Sequence, residues 1–171
     1  MKPYRFSHQR EIVADRYDNI VYKIGSYDDL VWQWEKGIID VEMSFLSSRP
    51  RYLDFGCGTG RIISYVEDNV QESTGVDISS EMISRAQSCV HRSELLRADI
   101  TVKDVLVGRI FDLITVFRVF LNSEPELRKE IMGTLSQKLS REGVMIFNIP
   151  GNTPFDASSR KHIRHNPKRP I

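Results

Sequence analysis

Three glycines alternate with other residues in the segment Asp54-Phe55-Gly56-Cys57-Gly58-Thr59-Gly60, directly after a short apolar run. Residues without a Cβ let a backbone turn sharply and approach a ligand closely. A helix that follows such a loop adds free N–H donors and the positive end of its dipole. The segment therefore predicts a ligand-binding loop between a strand and a helix, with Asp54 placed to face an ammonium group of the ligand.

Acidic residues also follow the next two apolar runs of the chain. Asp77 comes directly after Val76, and Asp99 lies two residues beyond Arg97, at the end of a weaker run. If these runs are parallel strands, their carboxyl ends line one crevice at the point where the strand order reverses. We expect Asp77 to accept hydrogen bonds from ribose hydroxyls and Asp99 to accept one from the adenine amine, which predicts an adenosine ligand.

The glycine spacing argues against a dinucleotide site. The third glycine of the Gly-x-Gly-x-x-Gly pattern is absent, and Arg61 stands where that glycine would allow a pyrophosphate to approach. A nicotinamide-dependent oxidoreductase is therefore the less favoured alternative.

Short apolar runs alternate with amphipathic segments from Arg51 onward, which is typical of an α/β protein with a doubly wound, Rossmann-like parallel sheet. The predicted strands are Tyr52 to Phe55, Ser73 to Val76, Glu94 to Arg97, Phe111 to Phe117 and Val144 to Ile149. The predicted helices between them are Arg61 to Asn69, Ser80 to Val90, Lys103 to Leu106 and Glu124 to Ser140, with a tight turn at Arg141 to Gly143.

The chain divides by composition into three parts. Residues 1–50 predict a helical preamble, with helices from Ser7 to Ile24 and from Asp28, as the capping residue, to Leu46. Residues 51–150 predict the sheet and its helices. Residues 151–171 carry five Lys or Arg against one acid, Asp156, which indicates either a phosphate-seeking tail or a solvated end.

The overall composition predicts one soluble domain of the cytoplasm. The 171 residues are 40% apolar and 27% charged, and no apolar run reaches the length of a membrane span. Cys57 and Cys89 lack the spacing of a metal site or a disulfide framework, so no metal is expected.

From about Ser7 to Ile149 the chain resembles the class I S-adenosylmethionine-dependent methyltransferases, in particular those that act on small molecules. The resemblance rests on four segments, which are Leu53 to Arg61, Gly75 to Ile83, Ala98 to Ile100 and Phe111 to Phe117. It implies a strand order of 3-2-1-4-5 and S-adenosylmethionine as the cofactor. The implied cofactor-binding residues are Tyr17, Asp54, Gly56, Cys57, Gly58, Gly60, Asp77, Ile78, Met82, Asp99, Ile100 and Phe117.

Within that implied site, the loop from Gly56 to Gly60 would cradle the methionine part and Asp77 would hold the ribose. Ile78 and Met82 would pack on the adenine. Asp99 would accept from the adenine amine, and the Ile100 N–H would donate to the ring. Tyr17 would contact the cofactor from the N-terminal helix.

The expected reaction is methyl transfer to an oxygen or carbon atom of a small molecule. Enzymes of this group that methylate base amines or glutamine amides usually carry Asn/Asp-Pro-Pro-Tyr/Phe after the fourth strand, whereas this chain has Phe117 to Asn122 there. Arg118 is expected either to bind a substrate carboxylate or phosphate, or to be a solvent-facing loop residue. No histidine lies in the four segments, so no catalytic base is named, and binding without catalysis remains an alternative.

The end of the chain departs from the family pattern. The family fold continues past the fifth strand with a helix and a hairpin, whereas Pro167 and Pro170 leave no strand after Val144 to Ile149. We therefore expect an uncovered edge strand, and either a truncated chain or a partner chain that covers the edge. A nucleic-acid partner is not expected.

Overall fold

The computed structural model describes residues 24–46 and 49–149. Tyr17, the helix predicted from Ser7 to Ile24 up to residue 23, and the tail 151–171 lie outside the described residues. The helices are α1 (Tyr27–Phe45), α2 (Arg61–Val66), α3 (Ser80–Ala86), α4 (Val119–Asn122) and α5 (Pro125–Ser136), and a 3-10 turn (Glu67–Asn69) follows α2. The strands are β1 (Arg51–Phe55), β2 (Glu72–Asp77), β3 (Glu94–Arg97), β4 (Phe111–Val116) and β5 (Leu139–Phe147). In these two ranges, no helix combines the length and apolar character needed to cross a membrane.

The five strands form one parallel sheet in the order β3-β2-β1-β4-β5, which confirms the predicted fold class. Tyr52 of β1 lies opposite Ser73 on one side and Leu113 on the other. The chain moves from β1 to β2 and β3 in one direction, and then returns to place β4 on the other side of β1. This reversal opens a crevice above the carboxyl ends of β1 and β4.

Helices cover both faces of the sheet because side chains alternate along each strand. Leu53 and Phe55 of β1 belong to an apolar cluster with residues of α4 and α5. Tyr52 belongs to a second cluster with residues of α2, α3 and α1, the last through the fully buried Ile39. The segment α1 therefore contributes to the core.

Helix α1 begins one residue earlier than predicted, and its cap is Ser26 instead of Asp28. The Ser26 hydroxyl accepts from the Asp29 N–H at 3.1 Å, and the Asp29 carboxylate accepts from the Gly25 N–H at 2.9 Å. These reciprocal bonds satisfy N–H groups that have no partner inside a helix. Asp28 consequently lies in the first turn of α1, where its side chain is available for another contact.

The helix predicted from Lys103 to Leu106 is wrong. The segment forms an irregular loop with bends, in which the Asp104 carboxylate accepts from the Leu106 N–H at 2.8 Å and pairs with Lys138 Nζ at 2.7 Å. An aspartate that bonds the backbone two residues ahead favours a turn over a helix. Lys138 also donates to the Leu106 carbonyl at 3.0 Å, which ties this loop to the start of β5.

Helix α5 ends and strand β5 begins earlier in the chain than predicted, with Lys138 between them. The Lys138 carbonyl accepts from the Phe111 N–H at 2.7 Å, so the chain joins the sheet at Leu139. The predicted turn at Arg141 to Gly143 lies inside the strand, as an irregular stretch where the pairing shifts. Gly143 permits it, because a Cβ there would lie 3.1 Å from the Asp112 carbonyl oxygen.

The other boundaries differ by a few residues from the predictions. The helix predicted from Arg61 to Asn69 divides into α2 and the 3-10 turn, and α3 ends at Ala86 instead of Val90. Helix α4, one turn long, was not predicted. Its N-terminal neighbour is Arg118, which has a left-handed backbone with φ of 62°.

We expect the substitution Gly60→Ala to destabilise the fold more than Gly58→Ala. Both glycines have positive φ, 88° and 55°, so either alanine costs about 1 to 2 kcal/mol of backbone strain. A Cβ on Gly60 would also lie 2.8 Å from Val90 Cγ2 and 3.0 Å from Ala86 Cβ, whereas none of the described atoms lies within 4 Å of one on Gly58. Overpacking adds about 1 to 3 kcal/mol. Urea unfolding measures both losses, and equal losses would contradict the close packing of Gly60 against α3.

Candidate functional site

The glycine loop between β1 and α2 is held by the end of β2. The N–H groups of Gly56 and Cys57 both donate to the Val76 carbonyl, at 2.8 and 3.1 Å. The Gly60 N–H then donates to the Cys57 carbonyl at 3.0 Å, and α2 begins at the next residue. The loop is thereby fixed above the carboxyl end of the sheet.

The glycines of this loop have different structural roles. Gly56 has φ of 74°, and a Cβ there would overlap Val119 Cγ2, so its lack of a side chain lets α4 approach the loop. Gly60 packs against α3. At Gly58 a Cβ would meet open space instead, on the wall of a cavity.

Asp77 joins the glycine loop to the loop after β2. One carboxylate oxygen accepts from the Gly58 N–H at 2.9 Å, and the other accepts from the Ser79 N–H at 2.8 Å. The Ser79 hydroxyl in turn accepts the Met82 N–H at 3.3 Å, which caps α3. A carboxylate oxygen can accept more than one hydrogen bond, so these contacts leave capacity for ligand hydroxyls.

Asp99 is fixed in a similar way at the end of β3. One of its carboxylate oxygens accepts from the Thr101 N–H at 3.1 Å and from the Thr101 hydroxyl at 2.5 Å. The preceding residue, Ala98, donates its N–H to the Asp77 carbonyl at 3.0 Å. The two acidic residues are therefore held at and just beyond the carboxyl ends of adjacent strands, on the side of the crevice toward the β3 edge.

An open cavity lies at the carboxyl ends of the strands. Of the predicted site residues, its lining includes Gly56, Cys57, Gly58, Asp77, Ile78, Met82, Asp99, Phe117 and Arg118. It also includes Phe55, Thr59, Arg61, Ile62, Val76, Ala98, Thr101, Val119, Leu127 and Ile131, which sequence reasoning did not select. Leu127 and Ile131 lie one turn apart on α5, but that spacing also marks an ordinary core face, so it carries no separate signal.

Three predicted residues lie away from the cavity lining. Gly60 packs against α3, and the Ile100 side chain is buried in the apolar cluster beneath α5. Asp54 is 1% exposed and lies behind the glycine loop. Its carboxylate accepts from the Thr115 hydroxyl at 2.8 Å, and that hydroxyl lies 2.6 Å from the Tyr52 hydroxyl.

The chemistry of Asp54 is set by its burial. Removal from water raises the pKa of the Asp54 carboxyl to about 7, although the Thr115 hydrogen bond and the charge of Arg61 act in the opposite direction. Burial also raises the pKa of the Cys57 thiol well above its ordinary value. The floor of the site is therefore a region where added charge is costly.

Arg118 lies on the other side of the crevice, in contact with α1. Its guanidinium donates to Asp28, and its backbone N–H donates to the Asn148 side-chain oxygen at 2.7 Å. The Arg118 side chain is only 16% exposed, so it is not a solvent-facing loop residue. Its left-handed backbone is supported by the Asn148 amide, and a non-glycine residue in that conformation is often found at a functional site.

A second arginine, Arg61, is held by the same helix. Its guanidinium carbon lies 4.4 Å from the centre of the Trp32 ring, and its Nη2 lies 3.5 Å from a carboxylate oxygen of Glu35. Glu35 is 4% exposed and also accepts from the Asn148 amide at 3.3 Å. Burial raises the pKa of the Glu35 carboxyl, while the charges of Arg118 and Arg61 lower it.

Comparison with known proteins connects this geometry to a family. A family model described as a methyltransferase domain matches residues 53–147, more than half of the 171 residues. The Bacillus subtilis (strain 168) protein described as "Putative methyltransferase YqeM" is 31% identical over 134 residues. The match covers 72% of this chain and 52% of that protein, so the chain spans about half the length of this relative.

Solved structures are similar over the same region. An S-adenosylmethionine-dependent methyltransferase from Clostridium acetobutylicum ATCC 824 superposes with a TM-score of 0.61 at 28% identity, covering 80% of this chain and 55% of that one. The N-methyltransferase NodS from Bradyrhizobium japonicum WM9, in complex with S-adenosyl-L-homocysteine, gives a TM-score of 0.63 at 18% identity, covering 78% and 69%. The likeness to NodS concerns the fold alone.

The raised pKa of Asp54 predicts a pH-dependent stability. Between the unfolded pKa of 3.8 and the folded value of about 7, only the folded state keeps the proton, so the free energy of unfolding falls as pH rises. The variant Asp54→Asn has no carboxyl to titrate at this position, so it lacks this fall in the free energy of unfolding. From about pH 5 to about pH 8 we expect it to gain roughly 2 to 3 kcal/mol relative to the original protein. Urea titrations at several pH values measure the difference, and a difference independent of pH would contradict the assignment.

Proposed function

The chain belongs to the class I S-adenosylmethionine-dependent methyltransferases, and on this premise we propose that it transfers a methyl group from S-adenosylmethionine to a small molecule. We propose an oxygen or carbon atom as the acceptor. One observation carries the proposal: a single cavity joins the glycine loop and the acids at the ends of β2 and β3 to the Phe117 and Arg118 corner after β4.

The residues present fit the cofactor. At Gly58 a side chain would occupy the cavity, so its absence leaves room for the ligand beside the loop. Asp77 offers a carboxylate to a ribose, and Ile78 and Met82 offer apolar contacts to a flat base. Asp99 lies beyond them at the end of β3, where a base amine can donate to it.

The remaining proposed cofactor contacts follow from the same arrangement of residues. Gly56 and Cys57 contribute backbone around the amino-acid part, and the Ile100 N–H would donate to the base ring. Asp54 and Gly60 would act from behind the loop, by holding it in place. We retain Tyr17 as a proposed contact from the part of the chain outside the described residues.

The protein's task in such a reaction is alignment. When bound, S-adenosylmethionine supplies a methyl group that its own sulfonium charge activates. The chain must then orient the acceptor in line with that methyl and exclude water. Phe117, which is 6% exposed, closes the cavity on the acceptor side, and Arg118 beside it supplies a positive charge.

The corner after β4 argues against an amide or base-amine acceptor. It lacks the Asn/Asp-Pro-Pro-Tyr/Phe sequence associated with amide and base-amine methylation, and Arg118 occupies its tight turn. The Asp28 carboxylate already pairs with the Arg118 guanidinium. An acceptor carboxylate or phosphate would therefore share Arg118 with Asp28.

The organisation around the sheet completes the proposal. We propose that residues 1–50 form a lid over the cofactor, that 51–150 form the binding core and that 151–171 form a separate basic segment.

Strand β5 pairs with β4, and no other strand of the described residues pairs with its second edge. We propose that a further strand, from a partner or a longer form of the chain, covers that edge.

We expect calorimetric titration to show binding of S-adenosylmethionine and no binding of NAD. The variant Gly58→Ala should weaken S-adenosylmethionine binding by about tenfold or more, because its Cβ would enter the ligand's space and strain the loop. The matched control is Gly108→Ala. Gly108 also has a positive φ, 74°, with none of the described atoms within 4 Å of a Cβ, but it does not line the cavity.

Equal affinity in Gly58→Ala and the control would remove the loop from the binding site. Binding of NAD alone would replace the proposed function with an oxidoreductase.

Methyl transfer is then tested with methyl-labelled S-adenosylmethionine and a set of small alcohols, phenols and carbon acids. Cofactor binding without any labelled product would support a binding domain that lacks catalysis.

We expect Asp77→Ala to weaken S-adenosylmethionine binding by about 1 to 3 kcal/mol, through the loss of charge-assisted hydrogen bonds to the ribose. The control is Asp104→Ala, which also removes a carboxylate that accepts a backbone N–H, but away from the cavity lining. Calorimetric titration of both variants separates the loss of a ribose contact from the loss of a carboxylate that only holds a backbone N–H. An unchanged dissociation constant in Asp77→Ala would exclude Asp77 from the site.

A further inference from the structure

The cavity has acidic and basic sides that are set by the strand order. Asp77 and Asp99 lie at the ends of β2 and β3, toward one edge of the sheet. Arg61 follows the loop that leaves β1, and Arg118 follows β4. All four residues line the cavity. A ligand with hydroxyl and amine donors at one end and a negative group at the other complements this arrangement.

Both arginines contact α1, and Arg118 does so near the start of that helix. Its guanidinium donates to Asp28, and its backbone is held by the Asn148 side chain. Its position after β4 places it beside Phe117, on the side of the cavity proposed for the acceptor.

Arg61 is placed differently, at the end of the glycine loop itself. It directly follows Gly60, and its side chain is 20% exposed. The centre of the Trp32 ring lies 4.4 Å from its guanidinium carbon, and a carboxylate oxygen of Glu35 lies 3.5 Å from its Nη2. Stacking on an aromatic ring orients the planar guanidinium while its edge can still donate hydrogen bonds.

We propose that Arg61 binds the carboxylate of the cofactor's amino-acid part, and that Trp32 and Glu35 hold its guanidinium in place for this contact. The inference rests on the proposed function, because it requires the amino-acid part to lie beside the glycine loop. A guanidinium presents two parallel N–H groups that match the two oxygens of a carboxylate. Asp77 and Asp99 would then contact the nucleoside, and Arg61 the opposite end of the same ligand.

Two ligands that differ in the amino-acid part test the proposal. S-adenosyl-L-homocysteine carries the carboxylate, whereas 5′-methylthioadenosine has the same nucleoside and a thioether but no amino acid. We expect Arg61→Met to weaken S-adenosyl-L-homocysteine binding by about tenfold to a hundredfold, as for the loss of a charged hydrogen bond, with 5′-methylthioadenosine binding unchanged within about twofold. Methionine keeps an unbranched side chain against Trp32, so thermal unfolding should show a folded variant.

The variant Arg61→Lys refines the test, because it keeps the charge but loses the paired donors and should give an intermediate affinity. The control is Arg85→Met on α3, where Arg85 pairs with Glu81 and does not line the cavity. It should leave both affinities unchanged. Equal weakening of both ligands by Arg61→Met, or weakening of neither, would overturn the proposal. If the unmodified protein bound neither ligand, the proposed function itself would fail.

Discussion

The hydrogen bonds from the glycine loop to the end of β2 are the constraint on which the site depends. The Val76 carbonyl accepts from Gly56 and Cys57, and the Asp77 carboxylate accepts from Gly58. The loop is therefore positioned by the neighbouring strand more than by its own side chains. Because Phe55 pairs with Val76, a slip of one residue between β1 and β2 would move every one of these acceptors away from the loop.

The sequence was sufficient for features that depend on local pattern. Alternating apolar runs identified all five strands and their order followed from the family resemblance, while the glycines and Asp77 marked the loop and the neighbouring strand end. The start of β5 and the irregular loop at Lys103 to Leu106 were not predictable in this way. They depend on Lys138, which bonds to Asp104 across 34 positions of sequence. A local window contains no signal for such a contact.

Helix α1 shows that local sequence pattern also fails to reveal long-range contacts at the site. Its apolar spacing predicted a helix correctly, but periodicity does not reveal that Asp28 and Glu35 meet arginines from distant segments. Both expectations for Arg118, as a ligand contact or as an exposed residue, omitted an internal partner. Burial of these charges is costly unless they are paired. The pairs therefore make the position of α1 depend on the corner after β4 and on the start of α2.

Cys57 places a thiol on the wall of the cavity, in the loop proposed to hold an alkylating cofactor. A thiolate there would be a strong nucleophile and a target for self-methylation. Burial, with the negative charges of Asp54 and Asp77 nearby, keeps the pKa of the thiol well above its ordinary value. The burial that raises this pKa thus favours the protonated, less nucleophilic form of the Cys57 sulfur beside the proposed ligand.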